Sequence, residues 1–215
     1  MRQRLVVLAR WPAPGRCKRR LAAGCGSAAA AAVQRALTAH TLAVARLAAR
    51  QAGARLELVV DGIGARARRR WARQLAVSHS ARQGSGSLGC RLQRQLRLSF
   101  RAGAERVVVI GTDLPSLECA DLLQAFAALE RQPLVLGPAS DGGYWLIGLN
   151  RSGFNRAGAR LMVGMPWGTE AVLPQTLARA LALELPPLLL RQQSDLDRCS
   201  DLQPWLRPAL QPWSR

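Results

Sequence analysis

The sequence predicts a single α/β domain built on a mostly parallel central sheet with helices on both faces. Three observations carry this. Residues Arg106-Val107-Val108-Val109-Ile110 place four β-branched apolar residues in a row, which suits a strand covered on both sides rather than one with a wet face. Short apolar runs of this kind alternate along the chain with longer stretches patterned as amphipathic helices. The chain has 215 residues, 49% of them hydrophobic, enough for one sizeable core without disulfide staples.

Taken in order, residues 4–10 read as the first strand. The opening Met1-Arg2-Gln3-Arg4 is basic, but the apolar part behind it is too short for a leader and ends in Arg10. Trp11 to Leu21 reads as a shaped loop, with Pro12, Pro14 and Gly15 opposing a helix. Residues 27–52 are rich in Ala and Leu and read as a helix capped by Ser27, with His40 as a partly buried packing residue. Leu56 to Val60 is the second strand, ended by an Asp61-Gly62 turn. Arg66 to Leu75 is a short basic helix around Trp71 with a solvated face. A glycine-serine loop, 83–89, feeds a helix in which Leu88, Leu92, Leu96 and Phe100 recur every four residues. Strand 106–110 follows and is stopped by Gly111 and Pro115, with Ser116 as cap of a helix from Leu117 to about Glu130. Residues 134–149 give two apolar strands around Asp141-Gly142-Gly143. Thr169 is a candidate cap for the next helix, which carries Pro174 early, where it costs little. Leu185 to Leu190 is a last strand, and the tail 204–215 is expected to pack loosely within the same domain, 1–215.

Charge narrows the function. There are 31 basic against 13 acidic side chains, a net charge of +18, so an anionic partner is expected. The arginines are spread along helices and no aromatic series stands among them, which opposes nucleic acid. No apolar run approaches the ~18–20 residues of a membrane span. The five scattered cysteines (Cys17, Cys25, Cys90, Cys119, Cys199) lack zinc-like spacing and are expected as free thiols in a soluble, cytoplasmic protein. The sequence leaves the oligomeric state open. Every basic side chain but one is arginine, and the exception, Lys18, is a compact point charge suited to phosphate.

The candidate site gathers at strand ends. Asp113 lies just past strand 106–110, at the carboxyl end where open α/β sheets bind ligands. A carboxylate there can hold a divalent cation, which in turn can hold a diphosphate. The plainer alternative is that Asp113 bonds the first amides of the next helix. Arg16, Lys18, Arg19 and Arg20 come from the loop after the first strand, a natural phosphate cradle although not a P-loop. The loop before residue 88, with Gly84, offers a second anion or ribose contact. The glycines after Asp141 allow close backbone approach, with Tyr144 and Trp145 beside them. Asp195 and Asp197, at i and i+2, both face one cation if the segment is extended. Asp197 as a cap for the segment near Asp201 is the alternative.

Four stretches together resemble one family: Ala13-Pro14-Gly15-Arg16-Cys17-Lys18-Arg19-Arg20-Leu21, Gly111-Thr112-Asp113-Leu114-Pro115, Gly137-Pro138-Ala139-Ser140-Asp141-Gly142-Gly143-Tyr144, and Pro166-Trp167-Gly168-Thr169. Asp195-Leu196-Asp197 matches the closing acidic motif. The family is the small bacterial glycosyltransferase group associated with arsenosugar biosynthesis, also called selenium-domain-associated transferases. It is similar to the GT-A, or nucleotide-diphospho-sugar transferase, fold and to the guanylyltransferases acting on molybdenum cofactor and on phospholactate. The resemblance implies a nucleotide or nucleotide-sugar donor and a small-molecule acceptor. It implies that Arg16 and Lys18 hold phosphates and that Pro14, Gly15 and Arg20 bind the nucleotide or substrate beside them. Gly84, Gly111, Thr112, Trp167 and Thr169 would line the nucleotide pocket. Asp113 would hold Mg²⁺ or Mn²⁺, with Asp195 or Asp197 completing its shell. Asp141, Gly142, Gly143 and Tyr144 would line the acceptor side. Where the family has Asp-Leu-Gly-Glu-Arg, this chain has Ser87-Leu88-Gly89-Cys90-Arg91, so two expected carboxylates are replaced. Lys-Thr-Arg becomes Lys18-Arg19-Arg20, and Trp-Ser-Thr becomes Trp167-Gly168-Thr169.

Three readings follow. In a glycosyltransferase, Asp113 with its cation, Lys18 and Arg16 would stabilise a leaving diphosphate while Asp141 takes a proton from the acceptor hydroxyl. In a nucleotidyltransferase, the same apparatus would serve in-line displacement with pyrophosphate release. The replaced carboxylates leave a third reading, an inactive nucleotide-binding homologue. The first loop lacks the Gly-rich start common in sugar nucleotidyltransferases, which favours sugar transfer.

Overall fold

A computed structural model describes residues 2–157 and 160–202; the expected loose tail lies outside these. The elements run β1 (Gln3–Arg10), α1 (Arg19–Cys25), α2 (Ser27–Gln51), β2 (Ala54–Asp61), α3 (Ala65–Gln74), β3 (Ser80–Arg82), α4 (Leu88–Arg101), β4 (Arg106–Ile110), α5 (Cys119–Ala128), β5 (Leu134–Pro138), β6 (Tyr144–Asn150), α6 (Arg151–Ala157), α7 (Val172–Ala182) and β7 (Leu188–Leu189), with a 3-10 turn at Cys199–Leu202. Seven strands form one sheet in the order β3-β2-β1-β4-β6-β5-β7. All pairs are parallel except those of β6, which runs against β4 and β5.

Strand alternation decides the two layers. Leu5, Val7, Ala9, Leu58, Val60, Val108 and Ile110 turn to one face and pack with α2, α3 and α5 through Leu42, Trp71, Leu122 and Phe126. Val6, Val59, Val107 and Val109 turn to the other and meet Leu92, Leu96 and Phe100 of α4, Ala157 of α6 and Ala180 of α7. Val107 to Ile110 are buried along β4, worth about 1.5–3 kcal/mol for each side chain removed from water. A smaller cluster, Leu21, Ala30, Leu37 and Leu196, joins α1 and α2 to the chain's last described segment.

Several local expectations are corrected. The loop after β1 gives way to helix at Arg19, two residues before Leu21. Ser27 is the first residue of α2 rather than its cap; Gly26 holds that position with φ 83°. His40 is exposed, and its Nε2 lies 3.1 Å from the Leu117 carbonyl. Ser116 does not cap α5. Glu118 does so in a reciprocal box with Asp121, and the Ser116 hydroxyl donates instead to Gln193. Thr169 likewise donates to the Pro166 carbonyl, while Ala171 precedes α7. The run Leu185–Leu190 contributes only two strand residues. The five cysteines are free thiols.

Candidate active site at the carboxyl ends of the strands

From β1 the sheet is extended in opposite directions, to β2 on one side and β4 on the other. Where strand order reverses in this way, the two following loops part and leave a crevice at the carboxyl ends. A cleft of about 570 Å³ opens there, within the range of small-molecule sites. Its walls include Arg10 from β1, Gly111, Thr112 and Asp113 after β4, Asp141, Gly143 and Tyr144 before β6, and Asp195 and Asp197.

Lys18 and Asp113 meet in this cleft. The ammonium lies 2.7 Å from Asp113 Oδ1 and 3.6 Å from Asp197 Oδ1, and its side chain is 3% exposed against 44% and 42% for the two carboxylates. It also donates to the Leu196 carbonyl at 2.6 Å. Lys18 sits in the left-handed backbone region, φ 42° and ψ 57°, which costs a non-glycine residue roughly 1–2 kcal/mol. Three segments far apart in sequence are thus held on one charged atom. The backbone repeats the closure, with the Leu196 amide donating to the Asp113 carbonyl at 2.9 Å.

The supports around these residues are polar groups, with Gln34, Thr112, Asp121 and Gln193 buried and Arg191 exposed. Gln34 of α2 donates to the Thr112 hydroxyl at 3.0 Å and fixes the turn that presents Asp113. Arg191 grips Asp121 through Nε and Nη2 at 2.5 and 2.8 Å, and Gln193 adds a bond to Asp121 at 3.1 Å. Burial opposes the Asp121 charge, yet Arg191 and the Glu118 amide hold its carboxyl below the usual range. This anchor, with Gln193 also bonded to Pro138 and Ser140, positions the segment that carries Asp195 and Asp197.

At the β1–β2 side, Arg91 Nη1 donates at 2.9 Å to both Asp61 and Gln83 Oε1, and Arg10 reaches Asp61 at 3.4 Å. Gln83 Nε2 in turn donates to the Ala9 and Val59 carbonyls. Asp61 is therefore the ion-pair partner of two arginines that line the cleft, as well as the end of a strand. Burial raises its proton affinity, but Arg91 outweighs it and the carboxyl lies below its ordinary range. Gln34, Gln83 and Arg91 were not legible as site residues. The available signal was the placing of polar Gln34 on the buried face of an Ala-rich helix.

The loop at Asp141 is closed by its own carboxylate, which accepts from the Gly143 amide at 2.9 Å. Gly142 has φ 84°, and a Cβ there would collide with the Glu170 backbone, so only glycine fits. Tyr144 lines the cleft with its ring, edge-on to Trp167 with centroids 6.0 Å apart. Its hydroxyl is turned into the core beside Thr176, and burial pushes the phenol above its ordinary range. Trp167, Gly168 and Thr169 close the same wall.

Other candidate residues stand elsewhere. Pro14, Gly15 and Arg16 are exposed on the loop after β1 and do not line the cleft. Arg20 lines a second cleft and reaches Asp197 at 3.5 Å. Gly84 abuts the Arg94 guanidinium, which is bonded to the Gln83 and Ser85 carbonyls and shapes the glycine-serine loop. Gly142 does not line the cleft, and its carbonyl accepts from the Leu173 amide at 2.8 Å.

The donor set suits a hard divalent cation in its chemistry, being carboxylate oxygens alone. Burial, and then repulsion from Asp113, Asp141 and Asp197, pushes Asp195 up to about 7. Such mutual repulsion is what an added cation relieves. Among the described residues, however, no three acidic, His or Cys side chains converge closely enough to hold an ion as they stand. The ammonium of Lys18 occupies one oxygen of Asp113.

Fold and cleft together define the chain as having the nucleotide-diphospho-sugar transferase, GT-A-like, architecture. A Desulfovibrio desulfuricans G20 protein, provisionally named a nucleotide-diphospho-sugar transferase, superposes with a TM-score of 0.84 at 26% identity, over 99% of this chain and 89% of that one. CMP:2-keto-3-deoxy-manno-octonic acid synthetase, solved with CTP, matches at TM-score 0.61 and 11% identity over 97% and 98% of the two chains. Glucosyl-3-phosphoglycerate synthase of Mycobacterium tuberculosis, solved with Mn²⁺, UDP and glucosyl-3-phosphoglycerate, matches at 0.52 and 11% identity over 94% and 75%. The last two share the fold alone. Residues 41–169 match the family described as "Uncharacterized protein conserved in bacteria" (DUF2064), and the chain belongs to it. No curated protein matches the chain.

Proposed function

We propose that this protein is a metal-assisted glycosyltransferase that moves a sugar from a nucleotide-sugar donor to a small-molecule acceptor. The observation that carries the reading is the convergence of Lys18 and Asp113 at 2.7 Å inside a cleft at the sheet's switch point. The resemblance to the arsenosugar-associated transferases, and the superposition at 26% identity, support the same class.

The donor's diphosphate would lie against Asp113 and Lys18, with the nucleoside toward the wall of Arg10, Gln83 and Arg91. When bound, Mg²⁺ or Mn²⁺ supplies positive charge against the departing diphosphate. Asp113, with Asp195 or Asp197, would hold it, and Lys18 would release Asp113 and turn to a phosphate oxygen. The acceptor oxygen forms a bond to the sugar's anomeric carbon as the bond from that carbon to the diphosphate breaks. Asp141 takes the acceptor's proton, and nucleoside diphosphate leaves.

A thermal-shift screen of nucleoside mono-, di- and triphosphates and sugar nucleotides, with and without Mn²⁺, tests the reading. At a hundredfold excess over Kd, a ligand adds about 2.7 kcal/mol, and a sugar nucleotide with Mn²⁺ is expected to raise the midpoint most. Asp113→Asn should stay folded and lose at least about a hundredfold in turnover. Unchanged turnover would reject the assignment. Pyrophosphate released from a triphosphate, in place of nucleoside diphosphate from a sugar donor, would make the protein a nucleotidyltransferase.

A further inference from the structure

A second cleft of about 840 Å³ adjoins the first along the segment that carries Asp195 and Asp197. It shares with the first only Asp141, Asp195 and Asp197, so the two clefts meet at these carboxylates. Its own lining is of a different kind. Arg20, Arg191 and Arg198 contribute guanidinium groups, Ser140 and Ser194 contribute hydroxyls 2.9 Å apart, and Pro115 and Leu196 are its apolar lining residues.

The three arginines are not equivalent. Arg191 is held by both oxygens of Asp121 and by the Ser116 carbonyl. Arg20 is 59% exposed and touches Asp197 at only 3.5 Å. Arg198 is fixed through its backbone amide, which donates to Asp201 at 2.7 Å. Asp201 also accepts from the Asp197 amide and from Ser200, so its carboxylate is committed to the chain. Arg20 and Arg198 are therefore the charges a ligand would meet, and the site selects against apolar molecules.

We propose that the second cleft binds the acceptor, and that the acceptor is a small hydroxylated anion, of the phosphomonoester class. Its charged group lies against Arg20 and Arg198, the donors best matched to phosphate. Its hydroxyl points to the junction of the two clefts, where Asp141 lines both. The assignment rests on the transferase reading, because it is the donor in the first cleft that makes this pocket an acceptor site.

The test uses glycerol 3-phosphate as probe and glycerol as its uncharged counterpart, titrated into the ¹⁵N-labelled full chain. Glycerol 3-phosphate is expected to move the amide signals of Ser140, Ser194 and Arg198, and glycerol is not. Arg198→Gln and Arg20→Gln should each weaken the binding about tenfold, while Arg198→Gln keeps the nucleotide-induced midpoint shift. Shifts confined to Gly111–Asp113, or none at 50 mM probe, would overturn the proposal. If nucleotides bind and the probe does not, the acceptor site falls alone. If the probe binds as expected and no nucleotide does, the transferase reading falls and the anion site stands.

Discussion

Asp195 is the residue whose charge is hardest to keep. Its folded-state value of about 7 lies above the ordinary carboxylate value, so the folded protein holds a proton that the unfolded chain gives up. Stability is then fully present below about pH 4 and is lost as pH rises toward 7. Asp195→Asn removes the titration. In metal-free buffer its melting midpoint should exceed that of the parent by an amount that grows from pH 4 to 7 and is flat above. Partial exposure limits the gain to about 1–2 kcal/mol, or roughly 2–8 °C. Parallel midpoint curves across that range would contradict the burial of Asp195 and its repulsion by Asp113, Asp141 and Asp197. Lys18, Asp113 and Asp141 were legible in the sequence because lone charges beside strand stops and glycines have few structural duties. The direction of the Lys18 ammonium was not. It depends on Leu196 and Asp197, 178 and 179 residues along the chain, and no local pattern encodes that meeting.

At the level of elements, the entry to α4 and the loop before α7 depend on one another. Gly89, in the first turn of α4, is buried, and a Cβ there would come within 2.8 Å of both the Trp167 indole nitrogen and the Met162 carbonyl. Gly89→Ala should push Trp167 off the cleft wall and cost about 1–3 kcal/mol from overpacking. Chemical denaturation would show a lower midpoint at unchanged slope, and nucleotide affinity would fall with it. Strand β4 and helices α2 and α4 were readable because their patterns are long and regular. Strand β7 was over-read, since an apolar run of six says nothing about how many neighbours it finds. Strand β3 and helix α6 were missed. Three strand residues without alternation, and a helix containing Gly153 and Asn155, lie below what periodicity resolves.

Across the whole molecule, the field comes from a net charge of +18. Most of that charge is on exposed helix faces, for example Arg66, Arg69 and Arg70 of α3, and the cleft's own carboxylates are an island within it. Such a field gathers polyanions and speeds their arrival. Raising the salt from 0.05 to 0.5 M should weaken nucleotide binding about tenfold, mainly through a slower association rate in stopped-flow traces. A salt-insensitive rate would mean that the contacts inside the cleft act alone. The fold class was legible because both faces of the sheet are written into strand parity. The antiparallel β6 was legible only as one strand of a hairpin, which leaves its insertion between β4 and β5 unspecified.

Because Lys18 is the single lysine of the chain, a lysine-specific endoproteinase has one bond to cut, between Lys18 and Arg19. That bond adjoins the buried ammonium that holds Asp113, Asp197 and the Leu196 carbonyl together. The folded chain should resist the enzyme, and a bound nucleotide that draws Lys18 away from Asp113 should alter the cutting rate. Two fragments on a gel would then report the state of the candidate site without an assay of any reaction.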